Sequence, residues 1–222
     1  MKQNTLRAAV LISGTGSNLK ALIDAVETDG LELDIVRVVS NREEAPGVQH
    51  AIHANIPVSV ITHKSFPDRI SHDAAIAKVL KEDQAELIIL AGYMRILSEE
   101  FTDAFAGHMI NLHPSLLPKY KGLDTYNRVL QAKDSETGAS IHFVTFGLDS
   151  GPVISQIRIP VLPGDDAASL SARLGPMEHR LVVATIGLFC DRSIGYENGV
   201  VLYLGKAIEQ PLLLKDDGTF VG

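Results

Sequence analysis

An asparagine and a histidine stand two residues apart at the end of the apolar run "MINLH" (109–113), and the proline-punctuated "PSLLPKYKG" follows at once. Alternate side chains of a β-strand share a face, so Asn111 and His113 would project together from the strand's carboxyl end. That end is where open α/β sheets bind ligands. Pro114 keeps His113 out of helical backbone and ends the strand, leaving the imidazole at the lip of a crevice. Asp149, in the Gly-flanked turn "FGLDSGPV", offers a carboxylate able to raise the histidine pKa and to take up a proton. These types suit proton transfer. They equally suit a buried histidine bonded to backbone and an aspartate that makes a turn.

A second constellation, "LISGTGSNL" (11–19), places glycines between an apolar run and a helix-like segment. Backbone N–H groups at a helix N-terminus carry the positive end of the macrodipole and receive anions. Gly14 and Gly16 would let the backbone approach a phosphate, with Ser17 and Asn18 adding donors. A tight turn that needs glycine only for its φ angles reads the same way. The spacing is neither GxGxxG nor a P-loop with its Lys, which favours a phosphate monoester over a dinucleotide or a nucleoside triphosphate.

The elements that must position these residues alternate as βα units of a parallel sheet. Strands are expected at 8–13, 34–40, 57–61, 86–92 and 108–113, with helices near 17–28, 45–54, 68–83 and 98–106, the last N-capped by Ser98. "GASIHFVTF" (138–146) and "PVISQIRIPV" (152–161) flank a tight turn and would run antiparallel, which makes the sheet mixed. A long helix over about 167–190 follows, then "VVLYLGKAI" as a last strand or edge. The expectation is α/β: a Rossmann-like, mostly parallel mixed sheet flanked by helices, in one domain over 1–222 with halves at 1–107 and 108–222.

Composition narrows the partners. A chain of 222 residues at 45% hydrophobic can bury a full core without disulfides or metal. A net charge of −7 with no Lys/Arg cluster argues against nucleic acid, which needs a basic surface. Cys190 is the single cysteine, so neither an internal disulfide nor a cysteine zinc site is available. No apolar run reaches the length of a membrane span and no signal peptide is legible, so a cytoplasmic protein with small-molecule substrates is expected.

"LISGTGSNL", "AGYMRIL", "INLHPSLLPKYKG" and "GASIHFVTFGLDSGPVI" resemble, in order and approximate spacing, the phosphoribosylglycinamide formyltransferases of the folate-dependent formyltransferase superfamily. The resemblance spans essentially the whole chain. It implies the formyltransferase fold and transfer of a formyl group from 10-formyltetrahydrofolate to the amine of glycinamide ribonucleotide in purine biosynthesis, with no metal. It assigns catalysis to Asn111, a protonated His113 and Asp149. Gly16, Ser17 and Asn18 would hold the phosphate, and Glu178 the ribose hydroxyls. Arg69, Met94, Arg95, Ile96 and Leu97, with Asn111 and the loop Thr145, Phe146, Gly147, Leu148 and Asp149, would bind the folate. Ser140 would order a catalytic water. A monomer or weak homodimer is expected.

Two departures stand out. Where the family often reads "LHTH", this chain has "LDTY", so Asp124 and Tyr126 replace histidines, and "LGPM" before Glu178 would kink or interrupt its helix. A formyltetrahydrofolate hydrolase would use the same three residues with water as nucleophile. Methionyl-tRNA formyltransferases share "HPSLLP" but add an RNA-binding domain and a basic surface. A non-catalytic phospholigand-binding module would be expected to lack one of the three residues.

Overall fold

The computed structural model describes residues 5–222. The chain divides into two compact units that meet in sequence between Asn111 and Leu112.

The first unit is a run of βα units: β1 (Leu6–Ile12), α1 (Ser17–Thr28), β2 (Leu33–Ser40), α2 (Gly47–His53), β3 (Val58–Val60), α3 (Arg69–Glu82), β4 (Leu87–Leu90), α4 (Glu99–Ala104) and β5 (Met109–His113). Its strands lie in the order β5-β4-β1-β2-β3, all parallel. Strands covered by helices on both faces read as unbroken apolar runs, and Ala8 through Ile12 are wholly buried. Chain order reverses between β1 and β4, a topological switch point at whose carboxyl edge ligands bind in such sheets. The Ser98 cap is present, its hydroxyl accepting the Phe101 N–H at 3.3 Å.

The second unit opens with the last two residues of β5 and continues with α5 (Thr125–Ala132), β6 (Glu136–Phe143), β7 (Val153–Pro160), α6 (Ala167–Cys190), β8 (Ile194–Glu197), β9 (Val200–Tyr203), β10 (Lys206–Ala207), β11 (Leu212–Leu214) and β12 (Phe220–Val221). β6 and β7 are antiparallel as expected, while β11 adds to β7 in parallel and β12 turns back on β11. Over these strand pairs, the pairing is mixed and mostly parallel. "VVLYLGKAI" is not its last strand: it forms the β9–β10 hairpin of a separate sheet ordered β10-β9-β8. α5 is absent from the sequence expectation, its eight residues being too few for a clear apolar period.

The Gly175–Pro176 pair does not interrupt α6, which runs unbroken over its 24 residues. The helix starts from a capping box between Asp166 and Ser169. Its buried stripe, Leu170, Leu174, Leu181, Val182, Ile186 and Phe189, passes Pro176 by, because Pro176 is exposed. Burial of that stripe outweighs the roughly 3 kcal/mol that an interior proline costs.

Candidate active site

In the second unit the chain after β5 doubles back on His113. The imidazole Nε2 donates to the Tyr120 carbonyl at 2.9 Å, and Nδ1 lies 3.3 Å from Asp149 Oδ2. Asp149 reaches this position from the loop after β6, with a backbone φ of 45°. Its Oδ2 also accepts the Gly122 N–H at 2.8 Å. The other oxygen faces His142 Nε2 at 3.6 Å, and His142 Nδ1 donates to the Phe143 carbonyl at 2.8 Å. A carboxylate thus sits between two imidazoles, both buried. His142 is the neighbour of this carboxylate that the sequence reading did not single out. Its signal was the alternation along β6, where Ser140 and His142 share a face.

The electrostatics correct one expectation. Burial pulls His113 below the ordinary histidine value and His142 and Arg128 add to the pull; the Tyr120 carbonyl and Asp149 push upward without offsetting it. Burial therefore favours the neutral imidazole, where the resemblance implies a protonated one. Burial pushes the Asp149 carboxyl up, but the contact with His142 and the Gly122 N–H outweigh it and bring it down to about 2. A neutral His113 that donates from Nε2 turns a bare Nδ1 lone pair toward an ionised carboxylate. In that form the contact has room for one proton.

Ser140 also differs from expectation. Its hydroxyl donates to the Ser115 carbonyl at 2.7 Å and accepts from Leu117 N at 3.0 Å and Gln156 Nε2 at 2.9 Å. One donor and two acceptors exhaust a hydroxyl, so Ser140 pins the turn after His113 and has nothing left for a water. A cleft of about 750 Å³ nearby, with Leu117, Val129 and Gln156 among its walls, carries no comparable chemistry. Its Lys119 and Arg158 are paired with Asp134 and Glu136.

The remaining second-unit residues fall on two elements. Thr145, Phe146, Gly147 and Leu148 form the loop leading into Asp149, with Phe146 and Leu148 more than half exposed. Glu178 is half-buried on α6. Beside it stands Tyr126, whose phenol is pushed up to about 12 by burial and by the Glu178 carboxylate. Asp124 lies at the start of α5 and accepts from Asn127 Nδ2 at 2.6 Å.

In the first unit the expected residues other than Arg69 lie at or just after the carboxyl ends of β1, β4 and β5. Gly16 caps α1 with φ 70°, and no side chain caps the helix, so the N–H groups at Ser17 and Asn18 are available to an anion. Asn18 Oδ1 is buried without a partner. After β4, Met94 N donates to Ser13 Oγ at 2.8 Å. Leu97 is buried while Met94 and Ile96 are exposed, and Arg95 Nε is buried without a partner. Asn111 is in register with Leu90 at the end of β5. Arg69 is exposed at the start of α3. Among the described residues no group of three His, Cys, Asp or Glu side chains is placed to hold a metal ion, and no helix is long and apolar enough to cross a membrane.

Comparison with known proteins matches residues 6–186 to the formyl transferase family. The phosphoribosylglycinamide formyltransferase of Haemophilus influenzae is 39% identical over 91% of this chain and 95% of its own length. The trifunctional purine biosynthetic protein adenosine-3 of Drosophila melanogaster is 46% identical over 81% of this chain, which spans only 13% of that longer protein. The solved structure of phosphoribosylglycinamide formyltransferase from Coxiella burnetii, in complex with CHES, superposes with a TM-score of 0.89 at 40% identity, covering 92% of this chain and 96% of the other.

Proposed function

The chain belongs to the formyl transferase family, and from that premise we propose that it transfers the formyl group of 10-formyltetrahydrofolate to the amine of glycinamide ribonucleotide, a step of purine biosynthesis. The observation that carries the mechanism is the Asp149 carboxylate held between His113 and His142. Attack of the substrate amine on the formyl carbon generates an oxyanion and an acidic ammonium. Asn111, with its amide N–H donors, stabilises the oxyanion, a contribution of about 3 kcal/mol for one preorganised donor. The amine's proton goes to the His113–Asp149 contact, directly or through water, and returns to the folate nitrogen as the bond to carbon breaks. Once charged, His113 adds its own field to the stabilisation of the oxyanion.

The binding assignments follow the same reading. The uncapped start of α1 at Gly16, Ser17 and Asn18 receives the phosphate, and Glu178 the ribose hydroxyls. Met94, Arg95, Ile96, Leu97, Thr145, Phe146, Gly147 and Leu148 contact the folate, with Arg69 at its edge. Met94 and Ile96 in the first unit, and Phe146 and Leu148 in the second, are each exposed apolar side chains of a kind that packs on a flat heterocycle. The reading carries a cytoplasmic location and a monomer or weak homodimer with it.

The test is release of tetrahydrofolate, followed by absorbance, with and without glycinamide ribonucleotide. Release that requires the ribonucleotide supports the transferase. Equal release in both reactions replaces it with a hydrolase, and release in neither replaces it with a phospholigand-binding module or a different formyl acceptor.

A further inference from the structure

We infer that the buried His72–Asp73 pair is a positioning element for the segment Met94–Leu97, and through that segment for the folate. The inference rests on the functional reading above, which places folate against this segment. The catalytic chemistry does not use either residue.

Both side chains are interior, His72 at 0% and Asp73 at 1% exposed. Asp73 employs both oxygens: Oδ1 meets His72 Nδ1 at 2.9 Å, and Oδ2 accepts the Ser98 N–H at 2.7 Å. His72 Nε2 donates to the Ile61 carbonyl at 3.0 Å, and the ring stands edge-on to Phe66 with centroids 5.5 Å apart. The first turns of α3 are thereby wired to the stretch after β3 and to the residue that caps α4. At the other end, Ser13, directly after β1, accepts the Met94 N–H at 2.8 Å. The segment is fixed at both ends beside the switch point of the sheet, yet its Met94 and Ile96 side chains are 62% and 58% exposed.

The hydrogen bonds explain why a polar pair stands here. A buried polar pair seldom stabilises more than apolar residues of the same size, because desolvation offsets its attraction. An apolar replacement would lack an acceptor for Ser98 N–H and a donor for the Ile61 carbonyl. What the pair supplies is the location of two backbone segments. Rigid presentation of the binding surface reduces the ordering cost that a ligand must otherwise meet on binding.

Asp73→Ala removes the acceptor for Ser98, whereas Asp73→Asn keeps a carbonyl oxygen able to accept it. Ser13→Ala releases the opposite end with a smaller perturbation, and keeps the inference testable if Asp73→Ala does not fold. Calorimetric titration with 10-formyltetrahydrofolate should show affinity about tenfold weaker in Asp73→Ala and Ser13→Ala, with Asp73→Asn within about threefold of wild type. The KM for glycinamide ribonucleotide should stay within about twofold in all three. Amide hydrogen exchange without ligand should speed up over 93–98 in the two alanine variants and not in α1.

Wild-type protein that binds no 10-formyltetrahydrofolate overturns the functional reading and the folate part of this inference with it. Wild-type binding with unchanged affinity in the two alanine variants, or an equal rise in both substrates' constants, overturns the inference alone.

Discussion

Replacing Gly16 with alanine places a Cβ 2.7 Å from the Gly47 Cα, nearer than side chains come to backbone, at a residue whose φ is 70°. The left-handed backbone costs a non-glycine residue about 1–2 kcal/mol. Pushing α2 away to relieve the overlap costs about 1–3 kcal/mol more. The sum, about 3 kcal/mol, lowers the melting temperature of a chain this size by roughly 6–12 °C. Gly14 is the control, since a Cβ built there meets nothing within 4 Å and its backbone lies outside the left-handed region. Gly14→Ala should change stability by less than about 0.5 kcal/mol. If the ribonucleotide phosphate sits on this loop, Gly14→Ala should nevertheless raise the KM for glycinamide ribonucleotide about tenfold. Thermal unfolding and steady-state kinetics on both variants supply the readouts. A Gly16→Ala protein that melts within about 2 °C of wild type refutes the packing argument. An unchanged KM in Gly14→Ala means that the glycines serve only the turn.

Ser140→Ala should cost about 2–4 kcal/mol in urea unfolding, because Leu117 N and Gln156 Nε2 both lose an acceptor in the interior; a loss under about 0.5 kcal/mol would refute the anchoring role. Asp149 titrates lower in the folded than in the unfolded chain, so the stability it contributes is present above about pH 4 and lost as pH falls toward 2. The amount is at most about 2 kcal/mol, reduced where water screens the carboxylate, and comparison with Asp149→Asn across pH 2–5 isolates it. His142→Gln removes one of the groups that lower Asp149, so the acid limb of kcat/KM and of the melting temperature should both move to higher pH. Limbs that coincide with wild type would show that His142 does not act on the carboxylate.

Much of the first unit was legible from pattern alone. The apolar β1, β2 and β4 and the helices between them follow from periodicity and local capping, and α1 and α6 start and end where their sequences change character. The second unit was harder because its irregular parts are held by tertiary bonds. The turn after His113 is pinned by Ser140 and Gln156, which are distant in sequence, and the β8–β10 sheet is made of strands too short to carry a period. Proline inside α6 misled in the same way, since a local rule yields to the burial of a long apolar stripe.

By itself the sequence determined which chemical groups are present and on which elements they lie: Asn111 and His113 on one strand, Asp149 in a turn, and glycines at the first helix. Only the tertiary structure decided that Asp149 stands between two imidazoles, that burial pulls His113 toward its neutral form, that Ser140 is saturated and that Gly16 packs against Gly47. The physical reason is that protonation and hydrogen-bond capacity depend on burial and on partners brought from far along the chain, and no local pattern encodes either.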